Sequence, residues 1–151
     1  LRAFNSLPKK KNSEMVILSA KGKQFNQKVA QKWAKLDQLI LISGRYEGID
    51  ERVKITLKAE EISIGPYILT DGDAAIMVII SAVTRLIPGA IKFESLKEES
   101  HFKNELEYPH YTRPEVLTYK SKKYRVPKVL LSGHHKKIAE WRQKHRKNVE
   151  K

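Results

Sequence analysis

Four consecutive aliphatic residues, Leu39-Ile40-Leu41-Ile42, run into the loop Gly44-Arg45-Tyr46-Glu47-Gly48-Ile49-Asp50-Glu51-Arg52 with only Ser43 between. A short apolar run bounded by turn residues fits a buried strand. Its carboxyl end would then open into a loop with two glycines, a tyrosine and several charged residues. In open α/β sheets, ligands bind at the carboxyl ends of strands. Glycine at such a place admits positive φ or lets backbone approach a ligand closely. Two readings fit the nonapeptide: a ligand loop, and a solvated, salt-bridged turn.

The rest of the chain supplies elements that could surround this strand. Residues 15–19 read as a short buried strand and residues 20–26 as a loop. Residues 27–36 read as a helix, with Val29, Ala30, Trp33, Ala34 and Leu36 near helical spacing and Lys28, Lys32 and Lys35 on the opposite face. Residues 50–53 fit a helical turn, and residues 53–57 are a candidate strand. Glu60 leads through Ser63 to the turn pair Gly65-Pro66. Tyr67-Ile68-Leu69 fits a very short strand or an extended crossing segment. Residues 73–86 are apolar over too long a span for one strand. They read as a buried helix that Asp71 or Asp73 could cap and that Pro88-Gly89 stops. Residues 90–104 are polar and weakly patterned, as expected of a linker. Residues 126–131 fit a strand or extended segment, and residues 138–147 a basic helix carrying Trp141. Strands alternating with helices point to an α/β fold with a parallel sheet.

Composition narrows the partners. A chain of 151 residues fits one domain, or one domain with a small appendage. It has no cysteine, which excludes disulfides and thiolate metal sites. That is compatible with a reducing cytoplasm, the expected location. No apolar run approaches the roughly 20 residues of a membrane span, and the polar, basic start around Lys9-Lys10-Lys11 does not resemble a signal peptide. The net charge of +13 is unevenly spread: +8 over residues 1–36, −5 over residues 37–118 and +10 over residues 119–151. Basic flanks around a mildly acidic middle suit an anionic polymer, and a solubilising basic surface would look the same. None of the five histidines has convincing metal-ligand spacing, so no metal site is expected.

Five ordered motifs carry a more specific signal. They are the nonapeptide itself, Ser63-Ile64-Gly65-Pro66-Tyr67-Ile68-Leu69-Thr70, Arg85-Leu86-Ile87-Pro88-Gly89 and Tyr108-Pro109-His110-Tyr111-Thr112-Arg113-Pro114-Glu115-Val116. The last is Val126-Pro127-Lys128-Val129-Leu130-Leu131-Ser132-Gly133-His134-His135 with Trp141-Arg142. In order and spacing, over about residues 15 to 146, they resemble the bacterial tRNA (guanine-N1)-methyltransferases of the trefoil-knotted SPOUT superfamily. The resemblance implies an N-terminal strand, helix and Gly-rich loop ahead of the matched region, and a longer C-terminal helical domain than is seen here. It implies an α/β fold, a parallel sheet with a deep trefoil knot, followed by a linker and a small, mostly helical C-terminal region. The corresponding boundaries are a knotted cofactor-binding core at 1–90, a linker at 91–104 and a basic tRNA-binding region at 105–151.

It also implies the chemistry. S-adenosylmethionine would be the cofactor, tRNA the substrate, and the guanine 3′ of the anticodon, at position 37, the methylated base. The protein would act as a homodimer with the active site at the subunit interface. Cofactor-binding positions carried over from the two loops are Gly44, Tyr46, Glu47, Ser63, Ile64, Gly65, Pro66, Tyr67, Ile68, Leu69 and Gly72. Methyl transfer to a ring nitrogen needs an in-line donor, a base for the N1 proton and stabilisation of charge on O6. The family's base is an Asp followed by Ser. A one-residue shift puts Glu99-Ser100 there, whereas the ungapped match puts Ser100 on the Asp position and leaves Glu98 and Glu99 as linker charges. Glu99 is favoured. Arg85 matches the family's functional Arg, although a cation at a helix end also suits the helix dipole. Tyr108, His110, Tyr111 and Arg113 form an aromatic-basic cluster that suits RNA contact and, equally, packing between a linker and a small domain; RNA contact is expected at Tyr111, Arg113, His135 and Arg142. After the second loop the family's Gly-Gly-Glu-Leu-Pro is replaced by Asp71-Gly72-Asp73-Ala74-Ala75, and Asp71 adds a carboxylate next to the ligand loops. A knotted RNA-binding module without catalysis, and a knotted methyltransferase with another RNA target, are the competing expectations.

Overall fold

The structure, a computed structural model, describes residues 1–46, 48–92 and 105–148, with the side chain of Asn148 set aside. The chain forms two compact units, Leu1–Phe93 and Glu94–Lys151. The first unit contains α1 (Arg2–Asn5), β1 (Ser13–Gln24), α2 (Gln27–Trp33), β2 (Gln38–Ile42), α3 (Glu51–Leu57), β3 (Glu60–Ser63) and α4 (Asp73–Thr84). The second contains β4 (Glu105–Leu106), β5 (Val116–Tyr119), β6 (Lys122–Arg125), α5 (Lys128–Leu131), α6 (His135–Lys144) and β7 (Lys147–Asn148).

The sheet of the first unit has the order β2-β1-β3, and both pairings are parallel. Successive residues of a strand face opposite sides of the sheet, and here both sides are covered. Val16 packs with Ala30, Trp33, Ile62, Ile79 and Val83, which brings α2 and α4 onto one face. Its neighbour Ile17 packs with Leu57 and Ala59 on the other, joined by Phe4 of α1, Met15 of β1, Ile42 of β2, Ile49 of the loop after β2 and Val53 of α3. Two-sided burial explains why the strands read as continuous apolar runs rather than as alternating patterns.

Two elements differ from expectation for local reasons. The sequence predicts a loop over residues 20–26, yet β1 continues to Gln24. It leaves the ladder with β3 after Leu18 and rejoins it at Lys23. A Cβ on Gly22 would lie 2.5 Å from the Ile62 nitrogen and 2.6 Å from the Glu61 carbonyl carbon, so only glycine permits this return. Residues 53–57 are helical, not extended. The Asp50 carboxylate accepts from the Arg52 amide at 2.8 Å to start α3, and Lys58, at φ 52°, closes it in the left-handed region. These end signals outweigh the weak helix propensity of Val53, Ile55 and Thr56.

The expected helix at 27–36 is present as α2, with the Asn26 side chain accepting from the Val29 amide at 3.1 Å. The long apolar run is α4. Asp71 does help to start it, since its carboxylate accepts from the Asp73 amide at 2.9 Å, while Gly72 is the N-cap residue. Tyr67-Ile68-Leu69 forms no strand.

Among its described residues the second unit holds two helices, but also two antiparallel strand pairs that the sequence does not announce. The β5–β6 hairpin turns on Lys120 (φ 44°) and Ser121 (φ 61°). Two successive residues at positive φ are the mark of a tight I′ turn, usually made by Asn-Gly. Residues 126–131 are not a strand, for Lys128–Leu131 is the short helix α5. The basic helix is α6, which runs from His135 to Lys144 rather than over residues 138–147.

Candidate functional site

The carboxyl ends of β2 and β3 emerge at the same end of the sheet, on either side of β1, and the loops that follow them enclose a cavity of about 570 Å³. That volume lies within the range of small-molecule sites. Gly44 and Tyr46 come from the first loop. Ser63, Ile64, Gly65, Tyr67, Ile68, Leu69 and Gly72 come from the second, and all of them line the same cavity. Pro66 is exposed and is not among the lining residues. Glu47 lies outside the described residues.

Three contacts clasp the two loops together. The Gly72 amide donates to the Gly44 carbonyl at 3.2 Å. The Ser43 hydroxyl donates to one carboxylate oxygen of Asp73 at 2.6 Å, and Arg45 Nη2 to the other at 2.6 Å. The Ser43 hydroxyl, then the adjacent Arg45 charge, hold the Asp73 carboxyl below its ordinary value. Gly72 must be small here: a Cβ would lie 2.9 Å from Ser43 Oγ and 3.3 Å from Ser43 Cα.

Within the second loop, buried Ser63 turns its hydroxyl inward. Ser63 Oγ donates to the Gly65 carbonyl at 2.9 Å and accepts from the Gly65 amide at 3.2 Å. Its hydroxyl therefore shapes the loop rather than presenting itself to a ligand. The Tyr67 amide donates to the Gly65 carbonyl at 2.9 Å, and a Cβ on Gly65 would run into the Tyr67 ring. Gly65 thus makes room first for Tyr67. In the first loop Tyr46 holds φ 56° with its ring 99% exposed. A left-handed, non-glycine residue carrying an uncovered aromatic costs free energy locally, and such residues gather at functional sites.

One wall is ionic. Lys21 lies 3.5 Å from Glu61 and 3.7 Å from Glu51, and Lys54 lies 2.5 Å from Glu61 and 3.0 Å from Glu51. Lys54, as a hydrogen-bond donor, holds the Glu61 carboxyl below its ordinary value. Sequence reasoning misses this group because its members lie on β1, α3 and β3, and no spacing links them before the sheet is built. It also treats Asp73 only as a helix cap. Asp71 lines the cavity, but its carboxylate is engaged at the Asp73 amide.

Of the two catalytic candidates, the described one, Arg85, does not line this cavity. Arg85 is the C-cap residue of α4. At 1.5 Å per residue it stands roughly 18 Å along the helix from Asp73, beyond the reach of one side chain to this cavity. Glu99, with Glu98 and Ser100, lies outside the described residues. Among the described residues no group of three or more His, Cys, Asp or Glu could hold a metal ion.

The second unit has a cavity of about 510 Å³ lined by Tyr111, Arg113 and Arg142 together with Tyr108, His110 and Glu115. Arg142 packs its guanidinium 4.9 Å from the Tyr108 ring centre, and its Nε is buried without a hydrogen-bond partner. Trp141 stacks on His145 at 4.0 Å and meets Tyr111 edge-on at 6.2 Å. His135, first in α6, is exposed and is not part of that lining.

The whole chain, residues 1–151, matches the family model described as tRNA (Guanine-1)-methyltransferase TrmD. It is 51% identical over 145 residues to a tRNA (guanine-N(1)-)-methyltransferase of Carboxydothermus hydrogenoformans, covering 95% of this chain and 55% of that protein. It is 53% identical over 132 residues to the protein of that name from Chloroflexus aggregans, covering 87% and 50%. The one from Thermomicrobium roseum is 51% identical over 131 residues, covering 87% and 47%. The chain spans about half the length of these curated relatives.

Proposed function

The chain belongs to the tRNA (guanine-1)-methyltransferase family, and on that footing we propose that it transfers a methyl group from S-adenosylmethionine to N1 of guanine 37 in tRNA. The observation that carries this is the clasp: two loops at the carboxyl ends of parallel strands, tied at Gly44, Gly72 and Asp73 around one cavity. The cavity suits this cofactor. Ile64 and Leu69 offer apolar side chains for an adenine ring, and Gly72 leaves backbone space that a Cβ would fill. When bound, the cofactor supplies an electrophilic methyl group on a sulfonium centre.

The chain's own residues would do the rest. The clasped loops hold the donor in one orientation, which converts a chance encounter into an in-line approach. Glu99 takes the guanine N1 proton as the methyl group arrives. Arg85 would balance the negative charge gained at O6. Since Arg85 is remote from the cavity of its own chain, we assign it to the cavity of a second subunit, in a homodimer. The far side of α4 supports that assembly: Met77 is 67% exposed, and Val78 and Ile80 are also exposed. An uncovered apolar helix face of this kind marks an interaction surface. The trefoil knot of the superfamily is part of the proposal, supported by the return of the second loop to Gly44. So are the domain roles, with residues 1–90 as the cofactor core, 91–104 as linker and 105–151 as the tRNA-binding region. A tRNA substrate sets the reaction in the cytoplasm. No described helix is long and apolar enough to cross a membrane.

Calorimetric titration with S-adenosylmethionine tests the cavity. The chain is expected to saturate at one cofactor per site. Gly72→Ala, which must push Ser43 and Gly44 away, is expected to lower the affinity by roughly tenfold or more. Absence of binding by the unaltered chain would remove the cofactor assignment. Unchanged affinity in Gly72→Ala would move the site away from the clasp.

A further inference from the structure

The β5–β6 hairpin stands out from the rest of its unit. All four residues of β6 are exposed, as are Leu117, Thr118 and Tyr119 of β5. Residues directly opposite each other in an antiparallel pair share a face. The register therefore puts Leu117, Tyr119, Lys122 and Tyr124 on one side, and Val116, Thr118, Lys123 and Arg125 on the other. On the first side the apolar surface is open: Leu117 is 57% exposed, Tyr119 60% and Tyr124 48%. Cations border both rings. Lys120 Nζ is 5.6 Å from the Tyr119 ring centre, and Lys122 Nζ is 5.5 Å from that of Tyr124.

The charge around the hairpin is of one sign. Between Glu115 and Glu140 the sequence has seven lysines and arginines and no acid. Among the described residues none of Lys120, Lys122, Lys123 and Arg125 forms an ion pair. Lysines beside open aromatic faces are what a flexible polyanion with planar groups requires: the cations meet phosphates and the rings stack with bases. An acidic protein would use the lysines but would have no need of two flat rings on the same side.

We infer that the β5–β6 hairpin is a nucleic-acid-binding ribbon, which stacks unpaired bases of the RNA on Tyr119 and Tyr124 while Lys120, Lys122 and Lys123 hold adjacent phosphates. This rests on the tRNA reading proposed above and gives it a binding element distinct from Tyr111, Arg113 and Arg142. Stacking is indifferent to base identity, so the ribbon contributes affinity and placement, and base selection is left to the methylation site.

The test is fluorescence anisotropy of a labelled, unmodified tRNA transcript against the full chain over a series of salt concentrations. Three double variants are compared. Tyr119→Leu with Tyr124→Leu keeps apolar bulk but removes the rings, and is expected to weaken binding roughly ten- to hundredfold with little change in salt dependence. Tyr119→Phe with Tyr124→Phe keeps the rings and is expected to bind like the parent, which separates stacking from folding. Lys122→Gln with Lys123→Gln alters only exposed charges, and is expected to lower the slope of log affinity against log salt by roughly 1.5. If the leucine and glutamine variants both bind within twofold of the parent, the ribbon is overturned and the methyltransferase reading stands. If the parent binds S-adenosylmethionine but no tRNA at any salt, the ribbon falls together with the RNA part of that reading.

Discussion

A single exposed carboxylate, that of Asp73, joins the start of α4 to the loop after β2 through Ser43 and Arg45. Its pKa is lowered in the folded chain, so the deprotonated form is favoured by folding. The stability it contributes is present above its ordinary value of 3.8 and is lost as the pH falls through the lower folded value. Asp73→Asn keeps an acceptor for Ser43 and loses the charge that holds Arg45. The variant is expected to melt below the parent at neutral pH, and the gap should close on acidification below pH 3.8. A gap that stays constant down to strong acid would show that charge is not what Asp73 contributes. Gly72, one residue earlier, is legible from sequence only through the resemblance, as the second glycine of the family's Gly-Gly pair. Its reason is not legible: the backbone it must clear belongs to Ser43 and Gly44, some thirty positions away in the chain.

At the scale of elements, legibility follows how locally each element is determined. Leu39 to Ile42 and residues 15–17 are aliphatic on both faces, and a doubly covered parallel strand needs nothing else. Asn26 before α2 is a side-chain signal next to the helix it starts. By contrast, Lys21-Gly22-Lys23 has no strand propensity and is held in β1 by its neighbour β3. The hairpin turn at Lys120-Ser121 lacks the glycine that would have announced it. The run Val126 to Leu131 is too short for its periodicity to separate helix from strand. For α4 the sequence shows a buried helix, yet only Ala75, Ile79 and Val83 are buried. In the proposed homodimer the apolar residues left over on the outer face meet the second subunit. Val78→Asp puts a charge in that face without touching the core residues. In analytical ultracentrifugation the parent is expected to sediment as twice its mass of 17.5 kDa, and the variant as a single chain. A parent that is monomeric at all concentrations, or a variant that still dimerises, would remove α4 from a subunit interface.

Over the whole molecule, the two loops that resemble the family's cofactor site are brought to one cavity, as a cofactor reading requires. Glu99 lies outside the described residues, and Arg85, at the far end of α4, enters the site only through the proposed homodimer. Glu99→Gln is expected to lower turnover roughly 10²- to 10⁴-fold while cofactor affinity is kept, the usual worth of a positioned general base. A large loss in Ser100→Ala with a mild effect at Glu99 would assign the position to Ser100 instead. The central claim is tested most directly by incubating the chain with S-adenosylmethionine and tRNA transcripts carrying guanine or adenine at position 37. The products are then digested to nucleosides and 1-methylguanosine is measured by mass spectrometry. The account predicts 1-methylguanosine from the guanine transcript alone. Methylation of both transcripts, or methylation at another atom or position, would contradict it.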